Sequence, residues 1–270
     1  MVVVTLLSLI VLALMSVFSS TQKAFRSSIT QTDVMEGGRA AIDFMAGDLR
    51  AIVPSAVNNP NGVHFFVMVT NYAVPPSPLM QPLVGSPNGA LRTNVLENFF
   101  ILGRGNLDGV PMWFGVAYAV STNASPGGLY SLYRFATNHP VAGVDPSILF
   151  TQDLTNFLQN VGRRGSRLMD GVVHLTVRAY DTNGVWMNTN GVGFLTGAAL
   201  YGETPFRMYN RMVPAAVEVE LGVLEDRTLQ RAESLSGATI AQSNYLAAAA
   251  GKVHVFRQRV AVQSIDPSGY

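Results

Sequence analysis

The first fifty residues constrain this chain more than any other stretch. They open on MVVVTLLSLIVLALMSVF, with no charge before Lys23 and only Thr5, Ser8 and Ser16 interrupting Val, Leu, Ile, Met, Ala and Phe. A helix over the first twenty residues spans roughly 30 Å, the thickness of a bilayer core. The pattern then changes without a break. No proline occurs before Pro54, and Phe18, Phe25, Ile29, Gly38, Ile42, Met45, Leu49 and Ile52 recur mostly at steps of three, four and seven. These are helical spacings. Lys23, Arg26, Asp33, Arg39, Asp43 and Arg50 fall between them. The sequence predicts one helix, roughly 75 Å long if continuous, apolar all round at first and amphipathic afterwards.

Each half makes its own demand. An all-round apolar helix needs lipid or other helices, so Val4, Leu6, Leu7, Leu9, Ile10, Val11, Leu12, Leu14, Met15 and Phe18 form the predicted membrane and assembly surface. The amphipathic half needs a globular domain on one side, with Ile42, Met45, Leu49 and Ile52 under its sheet. A cleaved secretory signal fits less well, because no basic residue precedes the apolar run and a patterned helix follows it. An ordinary signal anchor would lead into a polar linker, and a buried core helix would need a core around every face.

Residues 54–270 are left for a β-rich globular domain beside the helix of residues 1–53. Charged residues make up 13% of the chain, about half the usual share, and 25 glycines and 14 prolines point to a loop-rich β domain with many protein contacts. The net charge of +1 and scattered Lys and Arg give no electrostatic footprint for nucleic acid. With no cysteine, disulfides, thiolate metal sites and cysteine nucleophiles are excluded.

Strands are predicted over residues 63–70, 95–102, 113–120, 129–137, 171–180, 215–224 and 253–262, from β-branched and aromatic content and period-two alternation. Residues 103–112 read as the connection between the second and third. Five prolines in residues 71–90 exclude a helix or central strand there. Residues 147–160 and 225–235 are helix candidates, and the Gly- and Asn-rich stretch 181–206 reads as irregular. Strand following strand through turns argues an antiparallel sheet. The expected class is therefore α+β, a long N-terminal helical spine with a protruding apolar half, packed on an antiparallel sheet.

The apolar run MVVVTLLSLIVLALM, followed by Ala41-Ile42-Asp43-Phe44-Met45-Ala46-Gly47-Asp48-Leu49-Arg50, resembles the N-terminal helix of type IV pilins and type II secretion pseudopilins. The likeness is best to the J-type minor pseudopilins, whose later strand resembles Val213-Pro214-Ala215-Ala216-Val217-Glu218-Val219-Glu220-Leu221. The family's Phe-Thr-Leu-x-Glu start is not in this sequence, so the contact its glutamate makes is not assigned here. The resemblance implies a filament subunit of the minor or tip kind. It would sit in the inner membrane before assembly and in a periplasmic or extracellular filament afterwards, with other pilin-like subunits as partners. A membrane-anchored extracytoplasmic enzyme or binding domain is the alternative, and converging carboxylates in a pocket would favour it.

No HExxH, P-loop, GxSxG or GxGxxG occurs, and the sequence gives no positive sign of an enzyme. His64, His139, His174 and His254 share no metal-ligand spacing; three sit inside predicted strands, where a half-buried strand histidine is the commoner explanation. Glu218 and Glu220 fall on one strand face, where Arg257 or Arg259 of another strand would meet them. Some pseudopilins bind calcium, and Asp181-Thr182-Asn183-Gly184 resembles the opening of a calcium loop. It lacks the further acidic positions and closing glutamate, so a turn is the better reading. Asn123-Ala124-Ser125 matches the N-glycosylation acceptor pattern.

Overall fold

The computed structural model describes residues 2–57, 60–70, 80–82, 91–121, 129–235 and 238–262. Helix α1 (Val2–Arg50) runs without interruption through Ser19-Ser20 and Gly37-Gly38, and its 49 residues measure about 74 Å along the axis. The strands are β1 (Val63–Thr70), β2 (Met80–Pro82), β3 (Leu91–Thr93), β4 (Leu96–Leu107), β5 (Val110–Ser121), β6 (Ser131–Pro140), β7 (Ser166–Met169), β8 (Val172–Tyr180), β9 (Phe194–Thr196), β10 (Phe206–Tyr209), β11 (Ala216–Leu224) and β12 (Val253–Ala261). All but β2 and β3 join one sheet, ordered β12-β11-β8-β4-β1-β10-β9, with β5, β6 and β7 branching from β4. Its ladders are antiparallel except for one parallel bridge, Leu96 to Leu175. Beyond α1 the helices are short: α2 (Thr155–Gln159), α3 (Val161–Arg164), α4 (Asp226–Glu233) and α5 (Thr239–Ala248).

This corrects the expected α+β class. The chain is a mostly β, antiparallel-sheet domain with short helices, and among the described residues no helix is long and apolar enough to cross a membrane. The apolar side chains of residues 6–18 give way to Ser19-Ser20-Thr21-Gln22. The strands supply most of the main core, to which α1 adds residues from Val34 onward.

Local chemistry explains the other differences. Residues 103–112 are not a loop, because β4 and β5 run on to a two-residue turn at Asp108 and Gly109, both at positive φ. That backbone suits an Asp-Gly hairpin turn and matches the twist of the strands. Inside residues 181–206, β9 and the start of β10 are held by rings. Phe206 meets Phe65 edge-on at 5.1 Å and Phe194 at 5.4 Å. Residues 147–160 form a π-helical segment (Leu149–Leu154) running into α2. They bury Leu149, Leu154 and Phe157 against Phe100, Leu102 and Trp113. Phe99 and Ile101 belong to the cluster that α1 joins, so alternation puts the two helical layers on opposite faces of β4. Residues 71–90 other than 80–82, the Asn123-Ala124-Ser125 pattern and the side chain of Val4 lie outside the described residues.

Candidate functional site

The structure leaves the apolar half of α1 uncovered. Leu6, Leu7, Leu9, Ile10, Val11, Leu12, Leu14, Met15 and Phe18 are all exposed, from 46% at Val11 to 70% at Leu9. Val17, Phe25 and Ile29 are exposed as well. These positions lie on every side of the helix, so no single face is turned to the domain.

Docking begins at Val34, the first buried residue among those described along α1. Ile42, Met45, Leu49 and Ile52 are buried in the main core, together with Ala41 and Ala46. Gly38 lets the helix settle on β12, since a Cβ there would lie 2.3 Å from the Phe256 ring. In the last turn of the helix, Arg134 of β6 clamps Asp48, with Nε donating at 2.8 Å and Nη2 at 3.0 Å. The Tyr118 hydroxyl donates to the same carboxylate. Burial, together with the negative charge of Asp48, pushes the Tyr118 hydroxyl well up from its ordinary value. Arg134 also lies over the Phe44 ring at 5.1 Å. In the sequence Asp48 stands out only within Asp-Leu-Arg; its partners lie 70 and 86 residues away.

A second polar centre sits where the sheet forks. One side of β4 serves both β8, near Leu96, and β5, from Phe99 onward. Backbone N–H groups at the fork find side chains instead of a ladder. Glu97 accepts from Val177 N at 2.6 Å, Asn98 accepts from Val120 N at 3.3 Å, and His174 Nδ1 accepts from Val95 N at 3.0 Å. All three side chains belong to buried residues. An unpaired buried N–H would cost about 1–3 kcal/mol, which accounts for polar side chains in the heart of a sheet. Burial raises the Glu97 carboxyl well above the usual range; the Val177 hydrogen bond opposes this and the charge of Glu203 adds to it. Burial likewise lowers His174 to about 3, helped by the charges of Arg92 and Arg178.

Carboxylates and arginines surround the fork. Arg178 pairs with the buried Glu203, its Nε donating at 3.0 Å. Arg92 pairs with Glu220, and His174 Nε2 lies 3.7 Å from the same carboxylate. Arg257 reaches Glu218 at 2.6 Å, and the Tyr180 hydroxyl donates to Glu218 at 3.2 Å. Arg257 is thus one of the two partners expected from the strand pattern, while Glu220 meets Arg92, and Arg259 lies 4.0 Å from the Tyr180 ring centroid. Glu97, Glu203, Glu218 and Glu220 each accept from a donor within the fold. No alternation or motif signals the fork, because it depends on which strands meet.

The remaining histidines have structural partners. His64 Nε2 donates to the Met212 carbonyl at 2.5 Å, and its Nδ1 accepts from Ser55 N. Burial lowers it to about 4, against the pull of that carbonyl. His139 meets Asp153 at 2.9 Å, and His254 lies 3.6 Å from Glu225. At residues 181–184, Asp181 Oδ1 accepts from the backbone of Asn183 and Val185, and Gly184 takes a positive φ. That carboxylate oxygen caps a turn. Among the described residues no group of three His, Asp or Glu side chains is arranged to hold a metal ion.

No protein-family model matches the chain, and neither a curated protein nor a solved structure matches it.

Proposed function

We propose that this chain is a structural subunit of a type IV pilus-like or type II secretion pseudopilus filament, of the minor or tip kind. It assembles through the apolar half of α1 with other pilin-like subunits. Before assembly that segment associates with the inner membrane, and afterwards the subunit belongs to a periplasmic or extracellular filament. The observation that carries the reading is the exposure of residues 6–18 on every side of a helix whose other half is anchored in a folded domain. A continuous apolar surface of that kind needs a cover, and parallel helices from neighbouring subunits offer the same apolar surroundings as lipid. The rival, a membrane-anchored extracytoplasmic enzyme or binding domain, would draw on the carboxylates around the fork. Their existing hydrogen bonds favour a structural role for them.

The test is Val11→Asp beside a chain shortened to begin at Ser27. The carboxylate costs on the order of 3 kcal/mol in lipid-like surroundings at a helix centre. Both proteins should melt as cooperatively as the full chain yet fail to copurify with filaments or pilin-like partners. Normal assembly of either would overturn the filament reading and favour the rival.

A further inference from the structure

Away from both centres, α4, α5 and the short turn Ala250–Lys252 enclose a cleft of about 510 Å³. Arg227, Arg231 and Lys252 line it beside Thr228, Ser234 and Tyr245; Thr228 is buried, and the Ser234 hydroxyl donates to the Arg231 carbonyl at 2.7 Å. Arg227 and Arg231 are four residues apart on α4 and therefore share a face, an arrangement that costs a helix stability when both carry the same charge. Around the fork Arg92, Arg178 and Arg257 are each neutralised by a glutamate. Among the described residues Arg227, Arg231 and Lys252 form no such pair. Glu225 also lines the cleft, and its carboxylate lies 3.6 Å from His254.

We propose that this cleft binds a tetrahedral oxyanion, the phosphoryl group of a free phosphate or of an anionic lipid headgroup. Guanidinium forks and an ammonium supply charge-assisted donors. The bound anion would relieve the repulsion between the three cations. A phosphoryl group, with three oxygens to share among two guanidinium groups and an ammonium, suits the set better than a carboxylate, which one arginine can satisfy. The cleft stands apart from the exposed apolar segment of α1, so this inference does not depend on the filament reading.

The test uses the full chain in a neutral detergent, beside the double variant Arg227→Gln/Arg231→Gln. Both arginines are exposed, so the variant should melt as the parent does in phosphate-free buffer. One arm titrates inorganic phosphate and follows the melting temperature. The other measures binding to phosphatidylcholine vesicles with and without phosphatidylglycerol, where the apolar helix contributes equally in both proteins. Stabilisation by phosphate that the double variant loses, with affinity falling about tenfold or more, supports the site with a free anion as ligand. A phosphatidylglycerol-dependent gain lost in the variant supports it with a headgroup as ligand. If the two proteins respond alike in both arms, the proposal is overturned.

Discussion

Replacing Glu97 with Gln should make the protein more stable, increasingly so as the pH rises. Glu97 is 1% exposed, and its carboxyl accepts the Val177 N–H at 2.6 Å. Gln keeps the volume and the acceptor, so against a protonated Glu97 the exchange should cost no more than about 1 kcal/mol. The pH dependence follows from the raised native value. In the unfolded chain this carboxyl ionises at its ordinary 4.5, while in the native protein it holds its proton to well above that. Below 4.5 both states are protonated and the group has no effect on stability. Above it the unfolded state alone loses a proton, so wild-type stability falls by about 1.4 kcal/mol per pH unit until the native carboxyl ionises too. Gln has no proton to lose, so its advantage should grow along that slope. Urea titrations from pH 4 to 8, read by the fluorescence of Trp113 and Trp186, give the difference directly, and the histidine contributions cancel between the two proteins. A difference that is flat across this range, or that turns against Gln as the pH rises, would refute the reasoning. It would mean that Glu97 is ionised in the native protein and held by its donors.

Three further outcomes are expected. Leu49→Ala should cost about 2–5 kcal/mol in urea unfolding, since Leu49 is wholly buried beneath the sheet; a loss under 1 kcal/mol would mean that α1 docks weakly. Asp48→Asn keeps an acceptor for Tyr118 but removes the charge that Arg134 grips, so a loss of about 2 kcal/mol is expected for this partly exposed pair. A double-mutant cycle with Arg134→Met should show coupling between the two. Acid should destabilise the protein through His64 and His174, whose native values of about 4 and about 3 lie below the unfolded 6.5. As the pH falls below 6.5 the unfolded state takes up these protons first, each costing about 1.4 kcal/mol per pH unit, and His64→Gln should shallow the slope measured by urea midpoints.

Local pattern carried the helix and most strands. Steps of three and four mark α1, and alternation marks β8, β11 and β12 because each side chain's face follows from its neighbours in sequence. What depends on distant partners was not legible. Residues 103–112 could be read only as a connection, since placing the turn at Asp108-Gly109 required knowing that β4 and β5 pair along their whole length. β9 and the start of β10 exist because Phe194 and Phe206 find each other and Phe65 across the sheet. The fork was hidden for the same reason, as Glu97 and Asn98 look like polar interruptions in a strand until β5 and β8 diverge on either side of them. The class was misjudged because the apolar helix weighed heavily in the sequence, whereas the main core draws on α1 only from Val34 onward.

That late start of burial separates the exposed surface of α1 from the stability of the domain. Residues 6–18 contribute no buried side chain to the domain, so a charge at Val11 can change what the helix packs against without touching the core. Asp48 is the reverse case. It lies in the last turn, clamped by Arg134 and Tyr118, and cutting that contact weakens the join between helix and sheet while leaving the exposed surface chemically intact. If α1 is an assembly element, Val11→Asp should abolish partner binding at unchanged melting temperature. Asp48→Asn should lower the melting temperature while binding persists below it. Should both variants lose stability and binding together, the helix and domain would form one cooperative unit, and the exposed half would have to be stabilising the domain through contacts that its solvent exposure rules out.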